Sequence, residues 1–142
     1  MYNTILITLD ATPTDQAIIQ HIKPLAKLMH SKVVLLHVAD GWAARSFDQL
    51  KLAESEEIKN DRAYLEKIAE SLRAEKIVVS TRLAMGNPPA EILKVAESED
   101  CKLIAMTSHG HRFFGDLFHG STINEVRHRT HIPIFLVRAE KQ

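Results

Sequence analysis

Apolar residues are concentrated in five short runs, which are separated by longer segments of mixed polarity. Several of these runs are nearly continuous in Ile, Val and Leu, as is typical of strands that are covered on both faces of a parallel sheet. The predicted strands are Thr4–Leu9, Lys32–Val38, Ile77–Leu83, Lys102–Thr107 and Ile134–Val137.

Helical periodicity fills the segments between these runs. Apolar residues at helical spacings predict two amphipathic helices, with Ile18, Ile22, Leu25 and Met29 in the first and Ile58, Leu65, Ile68 and Leu72 in the second. Pro24 lies inside the first helix, where a proline costs about 3 kcal/mol, so we expect that helix to be bent. Asn87 followed by Pro88 predicts the N-cap and first residue of a third helix. A fourth helix is expected to end near His131.

The regular alternation of strands and helices predicts the fold class. Strands joined by helices of this length form right-handed crossovers, and these build an α/β fold with a single doubly wound, parallel five-stranded sheet and helices on both faces, similar to a Rossmann fold. Residues 1–142 contain no linker or internal repeat and are expected to form one domain. The longest irregular segment, Asp40–Lys51, is a candidate flap near the carboxyl edge of the sheet.

Composition narrows the function classes. Lys plus Arg (18) equals Asp plus Glu (18), so no net charge draws the protein to nucleic acid or to an anionic membrane. The single cysteine, Cys101, excludes a disulfide framework within the chain, and its apolar neighbours favour a structural thiol. No apolar stretch approaches the roughly 20 residues of a membrane span, and a cytoplasmic protein is expected.

Candidate chemistry lies where the strands end. Ligands of open α/β sheets bind outside the carboxyl ends of the strands, which directs attention to Asp10, to Val38 and to the segment from Met106 onward. Nine residues separate Gly110 from Gly120, and Gly120-Ser121-Thr122 opens the last helix. Glycine lets the backbone approach a phosphate closely, and a helix N-terminus favours anions. The alternative interpretation is an ordinary loop followed by a helix cap.

Three other motifs in the segment after the fourth strand do not support a known chemistry. The spacing from Gly110 to Gly115 imitates a phosphate-binding P-loop, but Asp116 stands where that motif needs lysine. His109-Gly110-His111 resembles the His-x-Gly-His element of nucleotidyl transferases, yet it does not follow the first strand as it does in those enzymes. His109, His111 and His119 share one loop without a cysteine or a second carboxylate to complete a metal site, so no metal ligands are assigned.

The glycine pattern carries a resemblance to a known family. The segment is similar to the Gly-x2-Gly-x9-Gly-[Ser/Thr] motif of ATP-binding universal stress proteins, with matches at Gly110, Gly120 and Ser121, while Thr107 replaces the first glycine. The resemblance extends over the whole chain, through Ile5–Asp10, Leu35–Val38, Gly86–Pro88 and His128–Val137. It implies the fold of the adenine nucleotide alpha hydrolase group.

The resemblance also implies a function and a set of nucleotide-binding residues. Asp10 and the Val38 backbone would hold adenine, and the phosphate anchor would be Gly120-Ser121-Thr122. The full implied set is Thr8, Leu9, Asp10, Val38, Met106, Thr107, His109, Gly110, Gly120, Ser121 and Thr122. The implied ligand is ATP or a related adenine nucleotide, with Mg²⁺ beside a triphosphate, in a stress-response protein that signals by its occupancy.

Two alternatives remain beside this interpretation. A branch of the same family lacks the glycine pattern and does not bind ATP, so Thr107 leaves open a dimeric adaptor without a nucleotide. A slowly nucleotide-hydrolysing enzyme is the third interpretation, although no convincing general base is evident and no catalytic residue is assigned. The resemblance further implies a homodimer that pairs through the last strand, Ile134–Val137, because an apolar edge strand needs cover.

Overall fold

The computed structural model describes residues 1–40, 51–109 and 120–139 of the chain. Within these ranges, five strands and four helices alternate along the sequence. In chain order they are β1 (Thr4–Thr8), α1 (Asp15–Met29), β2 (Lys32–Asp40), α2 (Lys51–Arg73), β3 (Val78–Gly86), α3 (Pro88–Ser98), β4 (Leu103–His109), α4 (Gly120–Arg129) and β5 (Ile134–Ala139).

The strands form one parallel sheet in the order β3-β2-β1-β4-β5. The chain winds outward from β1 in one direction through β2 and β3, and then in the other direction through β4 and β5. The predicted doubly wound architecture is therefore confirmed, and β5 is an edge strand as expected. The winding reverses between β1 and β4, which is where ligands of such sheets bind.

Two apolar layers cover the two faces of the sheet, because successive strand residues point to opposite faces. The first layer packs α1 and α2 on odd-numbered strand residues such as Ile7, Leu35 and Ala105. The second packs α3 and α4 on even-numbered residues such as Leu6 and Ile104. Central strands covered on both faces explain why their sequences read as nearly continuous apolar runs.

The structure tests the predicted N-cap of α3 directly and gives the course of α1 around its proline. The Asn87 side-chain oxygen accepts a hydrogen bond from the Ala90 amide at 3.1 Å, and Pro88 is the first helical residue, so the predicted N-cap is confirmed. α1 runs unbroken from Asp15 to Met29 through Pro24. Pro24 and the residue four positions earlier, Gln20, are both exposed, so water can satisfy the Gln20 carbonyl that loses its usual amide partner.

Two predicted segments lie outside the described residues. They are residues 41–50, which include most of the proposed flap, and residues 110–119, which include Gly110, His111, Asp116 and His119. Among the helices that the structure describes, none combines the length and the apolar character that crossing a membrane requires.

Candidate functional site

The carboxyl edge of the sheet contains a notch, because the central strand is shorter than its two neighbours. Pairing of β1 with β2 ends at Thr8 and Leu36, whereas β2 continues to Asp40. Pairing of β1 with β4 ends at Ile7 and Ala105, whereas β4 continues to His109. Each neighbour therefore extends four residues past its last pair, or roughly 13 Å at the rise of a strand. This opening lies at the point where the winding of the sheet reverses.

The backbones of β2 and β4 face each other across this notch. The Leu9 amide donates to the Leu36 carbonyl at 2.8 Å, so the backbone groups of Val38, two residues further on, point to the same side. On the opposite wall, the Ile104 amide donates away from the notch to the Pro133 carbonyl at 3.0 Å. Backbone direction alternates along a strand, so the peptide groups of Thr107 point into the notch. The walls therefore present peptide donors and acceptors beyond the end of β1.

The loop after β1 forms the floor of the notch and is held by one buried carboxylate. Asp15, the first residue of α1, is 0% exposed. Its Oδ1 accepts from the Asp10 amide at 2.9 Å, and its Oδ2 accepts from the amides of Ala11 at 2.9 Å and Thr12 at 3.3 Å. Ala11 takes a left-handed conformation with φ 63°, which costs a residue with a Cβ about 1–2 kcal/mol. The carboxylate therefore maintains a strained turn beside the site.

α2 contributes a further donor to this carboxylate. The Tyr64 hydroxyl donates to Asp15 Oδ2 at 2.7 Å and lies 3.1 Å from the Thr12 carbonyl oxygen. Burial raises the pKa of Asp15, and the hydrogen bond from Tyr64 and those from the loop amides oppose that rise. Burial and the adjacent Asp15 both raise the pKa of Tyr64, so its hydroxyl keeps its proton and acts as the donor.

His37 of β2 holds the same loop from the other side. Its side chain is 5% exposed, and Nδ1 lies 2.8 Å from the Leu9 carbonyl oxygen. Since a carbonyl oxygen only accepts, Nδ1 carries the proton of this hydrogen bond. The other ring nitrogen, Nε2, lies 3.7 Å from Asp61 Oδ2 of α2. Burial raises the pKa of Asp61, and the charge of His37 opposes the rise.

Thr107, which stands where the motif has its first glycine, lies within β4 opposite Val137. The φ of Thr107 is not positive, so its backbone conformation is one that threonine readily adopts. Its side chain is 1% exposed and follows Leu103 and Ala105 on the face that α1 and α2 cover. The Thr107 Oγ1 has no hydrogen-bond partner among the described residues.

Comparison with known proteins agrees with this architecture. A sequence profile of the Universal stress protein family matches residues 1–138. The chain belongs to the universal stress protein family. Universal stress protein MJ0577 of Methanocaldococcus jannaschii is 28% identical to it, in a match that covers 97% of this chain and 96% of that protein. The solved structure of MJ0577 superposes with a TM-score of 0.81 at 26% identity, covering 100% of this chain and 99% of its own.

Two further solved universal stress proteins are nucleotide complexes. The one from Archaeoglobus fulgidus in complex with dAMP is 20% identical, with a TM-score of 0.71 and coverage of 96% of this chain and 98% of its own. A universal stress protein in complex with cAMP is 14% identical, with a TM-score of 0.67 and coverage of 98% of each chain. At these identities the likeness establishes the shared fold, and the nucleotides are ligands of those two proteins.

In this universal stress protein, the residues implied by the resemblance fall into three groups. The Leu9–Asp10 peptide and the backbones of Val38 and Thr107 border the notch, while the Leu9 side chain is 0% exposed in the first apolar layer. The side chains of Thr8 and Met106 belong to the interior: the Thr8 hydroxyl donates to the Ala105 carbonyl at 3.3 Å, and Met106 is 0% exposed in the second apolar layer. The third group lies in the first turn of α4, which begins at Gly120; there Ser121 is exposed and Thr122 is buried. β4 ends at His109, and Gly110 lies outside the described residues.

Sequence reasoning missed the side chains that build the floor of the notch. Asp15, in the first turn of α1, is a buried carboxylate that accepts from loop amides and from Tyr64. The sequence did offer a signal for Asp15. It precedes Ile18 and Ile22 by three and seven residues, so it is a charged residue on the face of the helix that the pattern predicts to be buried. His37 offered a similar signal as a polar residue inside an apolar strand.

Another concave region lies away from the notch. A pocket of about 490 Å³ is formed where α3 and α4 end, and it is lined by Cys101, Arg129 and His131 among others. Cys101 is buried, as expected of a structural thiol, and burial raises the pKa of this thiol to about 11. Across the described parts of the chain, no three metal-ligating side chains of the His, Cys, Asp or Glu type come together.

Proposed function

We propose that this universal stress protein binds an adenine nucleotide in the notch at the carboxyl edge of the sheet. The observation that carries the proposal is the early end of β1 at Thr8, which leaves Val38 on β2 and Thr107 on β4 two residues past the last residues that pair with β1, with their peptide groups on the β1 side. Solved relatives in complex with dAMP and cAMP support the same class of ligand. Binding serves as an occupancy signal in a stress response.

Adenine fits the β2 wall chemically. One edge of the adenine base carries a hydrogen-bond donor, its exocyclic amine, beside an acceptor ring nitrogen. A strand segment past the end of its neighbour offers the complementary pair, an amide and a carbonyl, and Val38 supplies both on the notch side. Asp10 stands at the floor and adds a carboxylate that accepts from a base or a ribose hydroxyl.

The phosphates are assigned to the other end of the notch. The amides of Asp10, Ala11 and Thr12 already donate to Asp15, so these three donors of the loop after β1 are engaged and are not assigned to a phosphate. α4 begins at Gly120, and the N-terminal end of its dipole favours an anion there. The adenosine therefore lies against β1 and β2, and the phosphates extend from β4 toward α4.

Thr107 does not favour the adaptor alternative on structural grounds. Its backbone is extended and its side chain is directed to the α1 face, so its Cβ does not need to enter the space assigned to the ribose. Mg²⁺ enters with a triphosphate and is held chiefly by phosphate oxygens, as this cation commonly is. We propose binding rather than turnover, because no nucleophile or general base is assigned.

Titration calorimetry with ATP, ADP and AMP tests the proposal. We expect saturable binding by the wild type, with loss of affinity for ATP in Gly120→Val, because a branched side chain at the first residue of α4 obstructs the approach of a phosphate. Ser98→Ala, at the far end of α3 from the notch, is the matched helix-terminus control and should bind as the wild type does. Absence of binding by the wild type at millimolar nucleotide would refute the proposal.

We further propose that the protein is a homodimer that pairs through β5. This strand forms one edge of the sheet, and Leu136 on it is 50% exposed. An apolar edge strand is a pairing surface unless something covers it. Sedimentation should show a dimer at micromolar concentration, and Leu136→Lys should shift it toward monomer. A monomeric wild type under these conditions would refute this part of the proposal.

A further inference from the structure

We propose that Asp15, His37 and Tyr64 are positioning residues for the nucleotide. They act by fixing the peptide unit that carries Asp10, so that affinity for the adenosine half of the ligand depends on side chains that the ligand does not touch. The inference rests on the proposed function and adds to it a set of residues on three different elements, α1, β2 and α2.

The decisive geometry is that of the Leu9–Asp10 peptide unit, whose carbonyl and amide are both hydrogen-bonded to side chains; we call this pair of hydrogen bonds the grip. Its carbonyl oxygen, on Leu9, accepts from His37 Nδ1 at 2.8 Å. Its amide, on Asp10, donates to Asp15 Oδ1 at 2.9 Å. Two side chains from different elements therefore fix the plane of one peptide group. A fixed plane limits the directions in which the Asp10 side chain can leave the backbone.

The grip is needed because the loop would not adopt this shape without it. Ala11 stands in the left-handed region at φ 63°, a conformation that an L-residue with a Cβ avoids. The Ala11 amide donates to Asp15 Oδ2 at 2.9 Å, which compensates for that cost. Without the carboxylate, the loop would relax to other conformations, and binding would have to select the competent one from among them.

Tyr64 links this grip to α2. Its hydroxyl is the shortest contact of the carboxylate, at 2.7 Å from Asp15 Oδ2, and it spans 49 positions of sequence. Asp15 is 0% exposed, so its negative charge depends on protein donors in place of water. Removing the tyrosine hydroxyl leaves the carboxylate with fewer donors and weakens its hold on the loop.

Two readouts test the proposal with Tyr64→Phe, which keeps the ring and removes the hydroxyl. Amide hydrogen exchange of Asp10, Ala11 and Thr12 in the free protein should become faster. Affinities for AMP and ATP should fall by the same factor, about three- to tenfold, because the grip acts on the adenosine half that both ligands share. Tyr2→Phe makes the same chemical change just before β1, at the amino ends of the strands, and should alter neither readout.

His37 provides an independent pair of variants. His37→Asn places an amide N–H where Nδ1 stands and should keep both the slow exchange and the affinity. His37→Ala removes the donor and should lose affinity for AMP and ATP equally. This rescue by asparagine distinguishes positioning from mere packing, because alanine and asparagine both remove the imidazole ring.

The outcomes separate this inference from the proposed function. If the wild type binds nucleotide and Tyr64→Phe binds it equally well with unchanged exchange, the positioning role is wrong while the proposed function stands. If Tyr64→Phe weakens ATP but not AMP, the hydroxyl acts on the phosphate side and the inference is also overturned. If the wild type binds no nucleotide, the proposed function fails and the positioning role fails with it.

Discussion

Replacing Thr107 with valine removes a buried hydroxyl for which the described residues supply no hydrogen-bond partner. The Thr107 side chain is 1% exposed, and its Oγ1 makes no hydrogen bond among the described residues. A buried polar group that stays unpaired costs about 1–3 kcal/mol relative to a paired or absent one. Valine keeps the β-branched shape and the strand preference of threonine, so the change isolates the hydroxyl. We expect the free energy of unfolding to rise by about 1 kcal/mol.

Thr8 supplies a matched control for this prediction. It is also a strand threonine that is 1% exposed, but its hydroxyl donates to the Ala105 carbonyl at 3.3 Å. Thr8→Val removes one partner of a made hydrogen bond, so we expect it to lower the free energy of unfolding by about 1 kcal/mol. The two valine variants should therefore differ by about 2 kcal/mol, with opposite signs relative to the wild type.

Urea denaturation of the nucleotide-free protein measures both variants, and the midpoint shift at unchanged slope gives the difference. A Thr107→Val protein destabilised as much as Thr8→Val would show that the Thr107 hydroxyl has a partner, and the reasoning would be wrong. Nucleotide titration adds a second test. Because the Thr107 side chain points to α1 and away from the notch, the affinity of Thr107→Val for AMP should stay within about twofold of the wild type.

Three further predictions concern Pro24, Cys101 and Asp61. Pro24→Ala should raise the free energy of unfolding by about 2 kcal/mol in urea denaturation, because alanine restores an amide donor inside α1. The Cys101 thiol, with its pKa raised to about 11, should react slowly with a chromogenic disulfide reagent at about pH 8 while folded, and quickly in denaturant. The raised pKa of Asp61 means that the folded state keeps this proton longer than the unfolded state does. The stability contributed by protonation of Asp61 is therefore fully present below the unfolded-state pKa of 3.8 and is lost as the pH rises through the folded-state pKa. His37→Asn should raise the pKa of Asp61 further in a carboxyl NMR titration, because it removes the opposing charge.

The existence of the five strands and their alternation with helices followed from local pattern, but the lengths of the strands did not. The predicted second strand ended at Val38 and the fourth at Thr107, where the apolar runs end, yet the ladders continue to Asp40 and His109. Hydrogen-bonded pairing with a neighbour extends a strand regardless of which side chains it carries. The notch depends on these extra residues relative to β1. It is a property of register between strands, which no single run reveals.

The floor of the notch was hidden for a different reason. Asp15 and Tyr64 are 49 residues apart, and only the packing of α1 beside α2 on one face of the sheet brings them together. His37 lies inside a predicted strand that resembles the family, and nothing in that strand's own sequence indicates its contact with the Leu9 carbonyl, which depends on where β1 ends. A motif records the residues that a ligand touches, whereas these side chains lie behind the loop that we propose the ligand contacts.

The two halves of the proposed site differ in how they obtain their shape. On the β4 side, the position of Thr107 is fixed by an ordinary strand ladder, and a residue with a Cβ is accommodated because its side chain turns to the α1 face. On the β1 side, the loop holds a strained residue, Ala11, and depends on a buried carboxylate to keep it. We therefore expect the threonine at the first glycine position of the motif to disturb this protein less than loss of Asp15 would. The proposed nucleotide site is therefore better defined by the side chains that support its floor than by the number of glycines in the motif.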